Sequence, residues 1–503
     1  MELVKNNSVS FFKKQNYSVL KKTLNILITF ILNTKLLKNI LLYGIGDFIV
    51  TGVSAFLFIP LYLKFLSNSE YGIYNILNNN TTLFTYVFQL GIVSSFSRIY
   101  FLKKAENNQK KYTWNLMCFH FGYSIILILI YFVFKNFIIN SLSPSISNSN
   151  VVYYSPLMAF LSFLPALYYI YLRIEEKANK FVQYQILTVV LVSILLLLSY
   201  IFYQINLLSI LISFLLSNFI VWFIVFLNLK FSFSFEISLK DITETLHFAF
   251  PIFISYIAYF FISKYSIIIL QKHVSLEEIG QFSLAQQIAT IPSLITIAIT
   301  KAVQPMLFSS SSDYELKLKA QKFDSNFKLI LIWIVGSLIF SLDILFSYFL
   351  PVSYSPVINT AKYLLLINLV YNFAIVENTI LLYKMKSRTI LLITVCGSVM
   401  NVVLSNILIQ TYLLNGVLIS MAIAFLVNLC LEFYFSRKFI KLTYNLKIII
   451  PSLFYIIMVI IISSSYLFPV GDLFKTRFAI VSFLILTISI GLLLKKTNYD
   501  FVN

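Results

Sequence analysis

Apolar runs long enough to cross a bilayer recur along this chain from residue 39 almost to its end, separated by short polar gaps. A run of about 20 apolar residues crosses hydrocarbon as an α-helix, because a helix satisfies every backbone N–H and C=O within the segment itself. Such runs lie near 39–63, 73–98, 112–134, 151–172, 181–203, 207–228 and 246–270, then near 279–307, 326–348, 357–383, 389–410, 413–435, 447–467 and 474–494. The pattern predicts an all-α integral membrane protein of about 14 transmembrane helices. With 59% hydrophobic and 11% charged residues, the chain carries more apolar surface than a water-soluble core absorbs.

The balance of 38 Lys and Arg against 19 Asp and Glu leaves a net charge of +19. In a soluble domain this would suggest nucleic acid, but that reading needs a folded basic surface. Here the cations sit in the gaps between apolar runs, where the positive-inside rule gives them another meaning. With the N-terminus placed in the cytoplasm, the inner gaps collect about 30 of the 38 Lys and Arg, among them Lys103, Lys110, Lys177, Lys384 and Lys438. The outer gaps hold Lys64, Lys135, Lys272, Lys475 and Arg477. Both termini are therefore expected in the cytoplasm. The apolar run from Leu24 to Leu32 is too short to span, and no small-residue cleavage site follows it. Cys118, Cys396 and Cys430 fall inside apolar segments with no CxxC spacing, and read as buried, reduced thiols.

The stretch FLSNSEYGIYNIL, Phe65 to Leu77, follows the first span and is echoed by HVSLEEIGQFSLA, His273 to Ala285, after the seventh. Gly72 matches Gly280 at an offset of 208 residues. An even number of crossings separates the copies, so the pattern predicts a six-plus-six duplication in parallel orientation. The expected division is a cytoplasmic basic segment at 1–35, an N-terminal six-helix bundle at 36–230, a C-terminal six-helix bundle at 231–440, and two additional helices with a short cytoplasmic tail at 441–503.

These two turn-plus-glycine copies, the inner loop LRIEEKANKFVQYQI and the string NVVLSNILIQTYLLNGVLIS from Asn401 to Ser420 resemble the Wzx-type polysaccharide flippases. Their superfamily also holds multidrug and toxin extrusion transporters and lipid II flippases. The chain departs from the pattern at Gln410, where proline is common, and at Leu418 to Met421, where small residues are frequent. The resemblance implies two pseudo-symmetric six-helix bundles around a central cavity lined by spans 1, 2, 7 and 8, rocking between inward-open and outward-open states. The substrate it implies is an undecaprenyl-diphosphate-linked oligosaccharide, flipped across the bacterial inner membrane for O-antigen and lipopolysaccharide, capsule or another surface polysaccharide. Polysaccharide polymerase machinery is the protein partner that fits this role; no nucleic acid and no cofactor are expected. A cation-coupled multidrug exporter of the same superfamily and a membrane polymerase or glycosyltransferase are the alternatives.

A flippase must shield sugar and diphosphate from hydrocarbon, so it requires a polar, cationic lumen. Charges within the spans, Asp47, Lys264, Lys301, Asp343, Lys362 and Glu377, are the first candidates. On an ideal helix Lys301 lies within about 40° of Gln287 and Thr290, giving span 8 a polar stripe; the alternative is a lysine snorkelling to the inner headgroups. Lys264 sits deep in span 7. On span 2, Asn75, Asn78, Asn79, Thr82, Tyr86 and Gln89 recur at helical spacing and are expected to face the lumen. Arg98 is rotated off that stripe by about half a turn and reads as a headgroup anchor. Asp47 shares a face of span 1 with Gly44, Thr51 and Ser54 and is expected either to couple an ion or to pair with a lumen lysine. Asp343, Lys362 and Glu377 read as structural ion pairs or interfacial groups. His120, His247 and His273 are scattered, and no HExxH, P-loop or nucleophile elbow appears, so neither a catalytic nor a metal site is expected.

Overall fold

The computed structural model describes residues 54–105, 108–202, 204–228, 238–308, 310, 312–349 and 354–442. The segment 1–35, Asp47 and the expected spans at 447–467 and 474–494 lie outside the described residues. Among those described, the elements are helical: α1 Ser54–Phe65, α2 Asn68–Gln89, α3 Ile92–Ala105, α4 Gln109–Val133, α5 Lys135–Leu142, α6 Tyr154–Ile174, α7 Ala178–Phe202 and α8 Leu207–Asn228. The chain continues through α9 Leu239–Ser263, α10 Tyr265–Leu270, α11 Leu276–Ala289, α12 Ile291–Phe308, α13 Asp313–Phe349, α14 Val357–Asn372, α15 Ile375–Tyr383 and α16 Ser387–Arg437. Short 3₁₀ turns at Pro144–Ile146 and Asn150–Tyr153 join α5 to α6.

Seven helices among the described residues are long and apolar enough to cross a membrane, and the chain is a multi-pass membrane protein. Their apolar faces point outward. In the most apolar stretch of α7 only 22% of residues are buried, and Ile194, Leu197, Ile201 and Phe202 stand exposed, as Ile212, Phe219 and Phe223 do on α8. Hydroxyls on these helices disappear into their own backbone: Ser193 donates to the Val189 carbonyl at 2.9 Å and Ser199 to that of Leu195 at 2.9 Å. Cys396 and Cys430 share the outward surface, while Cys118 is half-buried. This corrects the expectation of buried thiols for the first two. A thiol is a small apolar group that lipid accepts, so an apolar segment alone does not tell the inward face from the outward one.

Several expected spans are interrupted. Span 2 breaks where Leu90 and Gly91 both adopt positive φ, 46° and 70°, so the helical wheel does not carry from Gln89 to Arg98. At Gly91 a Cβ would overlap the Ala249 carbonyl, so the break lets α9 approach the chain closely. Span 7 breaks at Lys264, with φ −127° and ψ −10°. The carbonyls freed there are taken up by side chains: Asn401 Nδ2 donates to Phe261 at 2.9 Å and Ile262 at 3.1 Å, and Gln286 Nε2 to Ser263 at 2.8 Å. The outer turn expected between spans 11 and 12 appears as a kink in α16 at Leu413, φ 46° and ψ −125°. Gly416 sits so close to the Leu408 carbonyl that a Cβ would overlap it, and Ser405 and Ser420 hydrogen-bond across the two arms at 2.6 Å.

Helix α2 packs on α6 and α6 on α8; α11 packs on α14 and α14 on α16. The same order of neighbours thus recurs in the stretches before and after residue 230. A large apolar cluster joins them, running from Tyr62, Tyr71 and Leu77 through Phe282 and Ala285 to Leu364 and Phe425. A second holds α3, α4, α6 and α8 together around Phe96, Tyr112, Leu164 and Val225.

Candidate functional site: a polar seam between α2, α3, α9 and α11

The two sequence echoes adopt the same local structure and meet each other. Ser67 and Ser275 are N-caps with φ/ψ of −65°/159° and −68°/159°, each in a capping box with the acid three residues on, Glu70 and Glu278. These caps start α2 and α11 side by side. A Cβ on Gly72 would overlap the Leu276 carbonyl, and one on Gly280 would lie 2.9 Å from the Asn68 carbonyl oxygen, so only glycine permits this backbone contact.

Polar side chains bridge the contact. Asn68 Nδ2 donates to Glu277 Oε1 at 2.6 Å, and two turns further in Gln287 Nε2 donates to Asn75 Oδ1 at 2.7 Å. Asn75 is 4% exposed and donates in turn to the Tyr71 carbonyl at 2.8 Å. One turn below, Asn79 is buried with neither its amide nitrogen nor its oxygen hydrogen-bonded among the described residues. Leaving a buried polar group unmatched costs about 1–3 kcal/mol.

The other sequence candidates fall into different places. Thr82 donates to the Asn78 carbonyl at 3.0 Å within its own helix. Gln89 is the half-buried last residue of α2. Thr290 closes α11, its hydroxyl donating to the Gln287 carbonyl at 2.6 Å. Lys264 Nζ donates to Gln286 Oε1 at 3.0 Å, so it ties α9 to α11 on one side of the seam. Lys301 belongs to α12 and Asp343 to α13, with side chains outside the described set. Lys362 is buried on α14. Glu377 is fully buried and ion-paired to Lys328 at 3.2 Å, and Lys328 also pairs with Asp324 at 2.8 Å. Asp324 and Lys328 are spaced i, i+4 across the start of the span expected at 326–348, a signal hidden when Asp324 is assigned to the polar gap before it.

The seam continues toward the end where the inner-gap lysines cluster. Tyr86 and Tyr256 stack with ring centroids 5.3 Å apart, and the Tyr256 and Ser94 hydroxyls lie 2.6 Å apart. Lys103 Nζ on α3 lies 2.9 Å from Asp241 Oδ1 and 3.6 Å from Glu244 Oε2 on α9. Asn115 Nδ2 donates to Asp241 Oδ2 at 3.2 Å, and the Tyr112 and Thr245 hydroxyls are 3.2 Å apart. Sequence reasoning counted Lys103 only as a loop cation. In the structure it joins parts of the chain more than a hundred residues apart. The seam is thus fastened at the glycine end and at the basic end. Among the described residues no three His, Cys, Asp or Glu side chains gather as a metal site.

Residues 36–311 match the family of polysaccharide biosynthesis proteins. The chain belongs to that family. Its fold is shared with transporters of known structure. A lipid II flippase, MurJ, in an inward closed conformation superposes with a TM-score of 0.60 at 16% identity, covering 87% of this chain and 98% of the flippase. An outward-facing multidrug resistance transporter of the MATE family in the MOP superfamily gives 0.54 at 15% identity, covering 82% and 97%. An inward-facing conformation of a transporter of that family gives 0.54 at 14% identity, covering 76% and 96%. A comparison with curated protein sequences finds no match. For this polysaccharide biosynthesis family member, therefore, the fold is that of flippases and exporters.

Proposed function

We propose that the chain is a flippase that carries undecaprenyl-diphosphate-linked oligosaccharide repeat units across the bacterial inner membrane by alternating access, for O-antigen, capsule or another surface polysaccharide. The observation that carries this reading is the seam. Two repeat-related helices meet through glycines and polar side chains at one end, an ion pair joins α3 to α9 at the other, and Asn79, unsatisfied among the described residues, lies between. Membership of the polysaccharide biosynthesis family supports a glycan cargo. In this reading residues 36–230 and 231–440 are the two rocking bundles, and the basic end, with both termini, faces the cytoplasm. An engineered cysteine at Asn108 should then label only after permeabilisation; labelling from outside intact cells would reverse the orientation.

The cargo's diphosphate needs a compensating cation in a low-dielectric lumen. Lys301, from the helix that continues α11 beyond the seam, and Lys264, held by Gln286, are the proposed cations, with Asn75, Asn79, Thr82, Gln89, Gln287 and Thr290 as polar lining and Asp47 as an ion-coupling residue. Lys301→Ala should reduce glycan export about tenfold at matched membrane levels, as expected for the loss of one charge-assisted contact of roughly 1.5 kcal/mol. Lys301→Arg should retain most export, and Lys362→Ala, in a buried position on α14, should change it less than Lys301→Ala. Full complementation of a flippase-null strain by Lys301→Ala would remove Lys301 from the cargo site and leave it as a headgroup anchor.

A further inference from the structure

A concave site lies at the basic end, away from the seam. Helix α13, Phe373 at the end of α14, and α16 line an open cleft of about 790 Å³, a volume in the range of small-molecule sites. Lys328 of α13 and Phe373 beyond α14 line one side, and the last turns of α16 form the other. Cys430, Phe433 and Arg437 recur there at helical spacing, so one face of α16 lines the cleft and Lys438 and Lys441 follow at its basic margin.

The lining is graded. Its interior is apolar, and its aromatic rings hold cations: Arg437 lies 5.8 Å from the Phe433 ring centroid, Lys438 4.5 Å from that of Tyr434, and Lys328 4.9 Å above Phe433. Four cations and no carboxylate appear among the described lining residues. Lys328 pairs with Asp324 and Glu377, and Arg437, Lys438 and Lys441 stand at the exposed margin. The complement of such a surface is an amphiphile with an anionic head and an apolar body. Residues 443–471, which follow in the sequence, hold Lys447 and no acid that would complement these cations.

We propose that this cleft binds an anionic phospholipid, its phosphate among Arg437, Lys438 and Lys441 and its first acyl carbons over Phe433 and Cys430. The site is independent of the transport reading. Cys430 serves as a native reporter once Cys118→Ser and Cys396→Ser leave it as the only thiol. In detergent-purified full-length protein, dioleoyl phosphatidylglycerol should be retained in native mass spectrometry on the order of tenfold over dioleoyl phosphatidylcholine, given an attraction that grows with each Lys or Arg near an anionic lipid. It should also slow maleimide alkylation of Cys430 about tenfold, while phosphatidylcholine and inorganic phosphate leave the rate unchanged. Arg437→Gln/Lys438→Gln/Lys441→Gln should abolish both effects, and Lys110→Gln/Lys111→Gln/Lys177→Gln neither. Equal retention of the two lipids overturns the proposal, as does equal loss in the two triple variants, which would mean a diffuse field. Protection by inorganic phosphate would reduce the cleft to a phosphate site. A lipid-independent disulfide from Cys430 to a cysteine replacing Ile449 would show that the chain itself fills the cleft. The wild-type lipid comparison decides the matter even if a charge variant fails to fold.

Discussion

Gly72→Val should eliminate glycan export while leaving insertion and membrane level intact. The added Cβ overlaps the Leu276 carbonyl, and backbone rather than a flexible side chain stands in the way. Helices α2 and α11 must therefore separate, and the Asn68–Glu277 and Asn75–Gln287 bonds, 2.6 and 2.7 Å long, stretch with them. Overpacking a tight contact costs about 1–3 kcal/mol, and each 1.4 kcal/mol moves a two-state equilibrium about tenfold away from the sealed form. A cysteine pair replacing Asn68 and Glu277 should crosslink readily beside Gly72 and at least about tenfold less in the valine variant, by the same arithmetic. Gly122→Val is the control: a Cβ there meets nothing within 4 Å, so export should stay within about twofold, as for surface changes of up to 0.5 kcal/mol. Export by Gly72→Val at the parent's rate would mean that the glycine contact does not seal the seam.

A charge reversal at the basic end should be as damaging, and repairable. The side chains of Lys103 and Asp241 are only 11% and 13% exposed, so Lys103→Glu would set three carboxylates together in a largely desolvated place. Breaking a buried pair costs about 3–5 kcal/mol, enough for a loss of export above a hundredfold if the fastened state is part of the cycle. Lys103→Glu combined with Asp241→Lys should recover export to within about tenfold of the parent, because the pair re-forms while the Asn115 bond to Asp241 is lost, a hydrogen bond to a charge worth roughly 1.5 kcal/mol. Failure of the double swap to improve on Lys103→Glu would make the pair a folding contact rather than a latch.

What the sequence made legible was periodic or repeated. The apolar runs place the helices, since lipid leaves a backbone few other ways to satisfy itself. The echo at Gly72 and Gly280 foretells two matching helix starts, and the polar stripe of span 2 includes Asn75, which does meet Gln287 across the seam. Contacts set by tertiary approach were hidden. Nothing near Lys103 announces Asp241, and Asn401 reads as part of a motif until the break at Lys264 shows which carbonyls it serves. A helical wheel failed where the helix does not run through: Leu90 adopts positive φ, unusual for a leucine, so the rotation from Gln89 to Arg98 could not be extrapolated.

Translocation by the purified chain in proteoliposomes tests the central claim most directly. Undecaprenyl-diphosphate-linked oligosaccharide is placed in one leaflet, and its arrival in the other is read with a membrane-impermeant glycosidase. The account predicts protein-dependent transfer that Gly72→Val and Lys103→Glu suppress and that the Lys103→Glu/Asp241→Lys pair restores. Active proteoliposomes that move a lipophilic cation against a proton or sodium gradient, yet leave the oligosaccharide lipid where it was placed, would contradict it and identify a drug exporter built on the same fold.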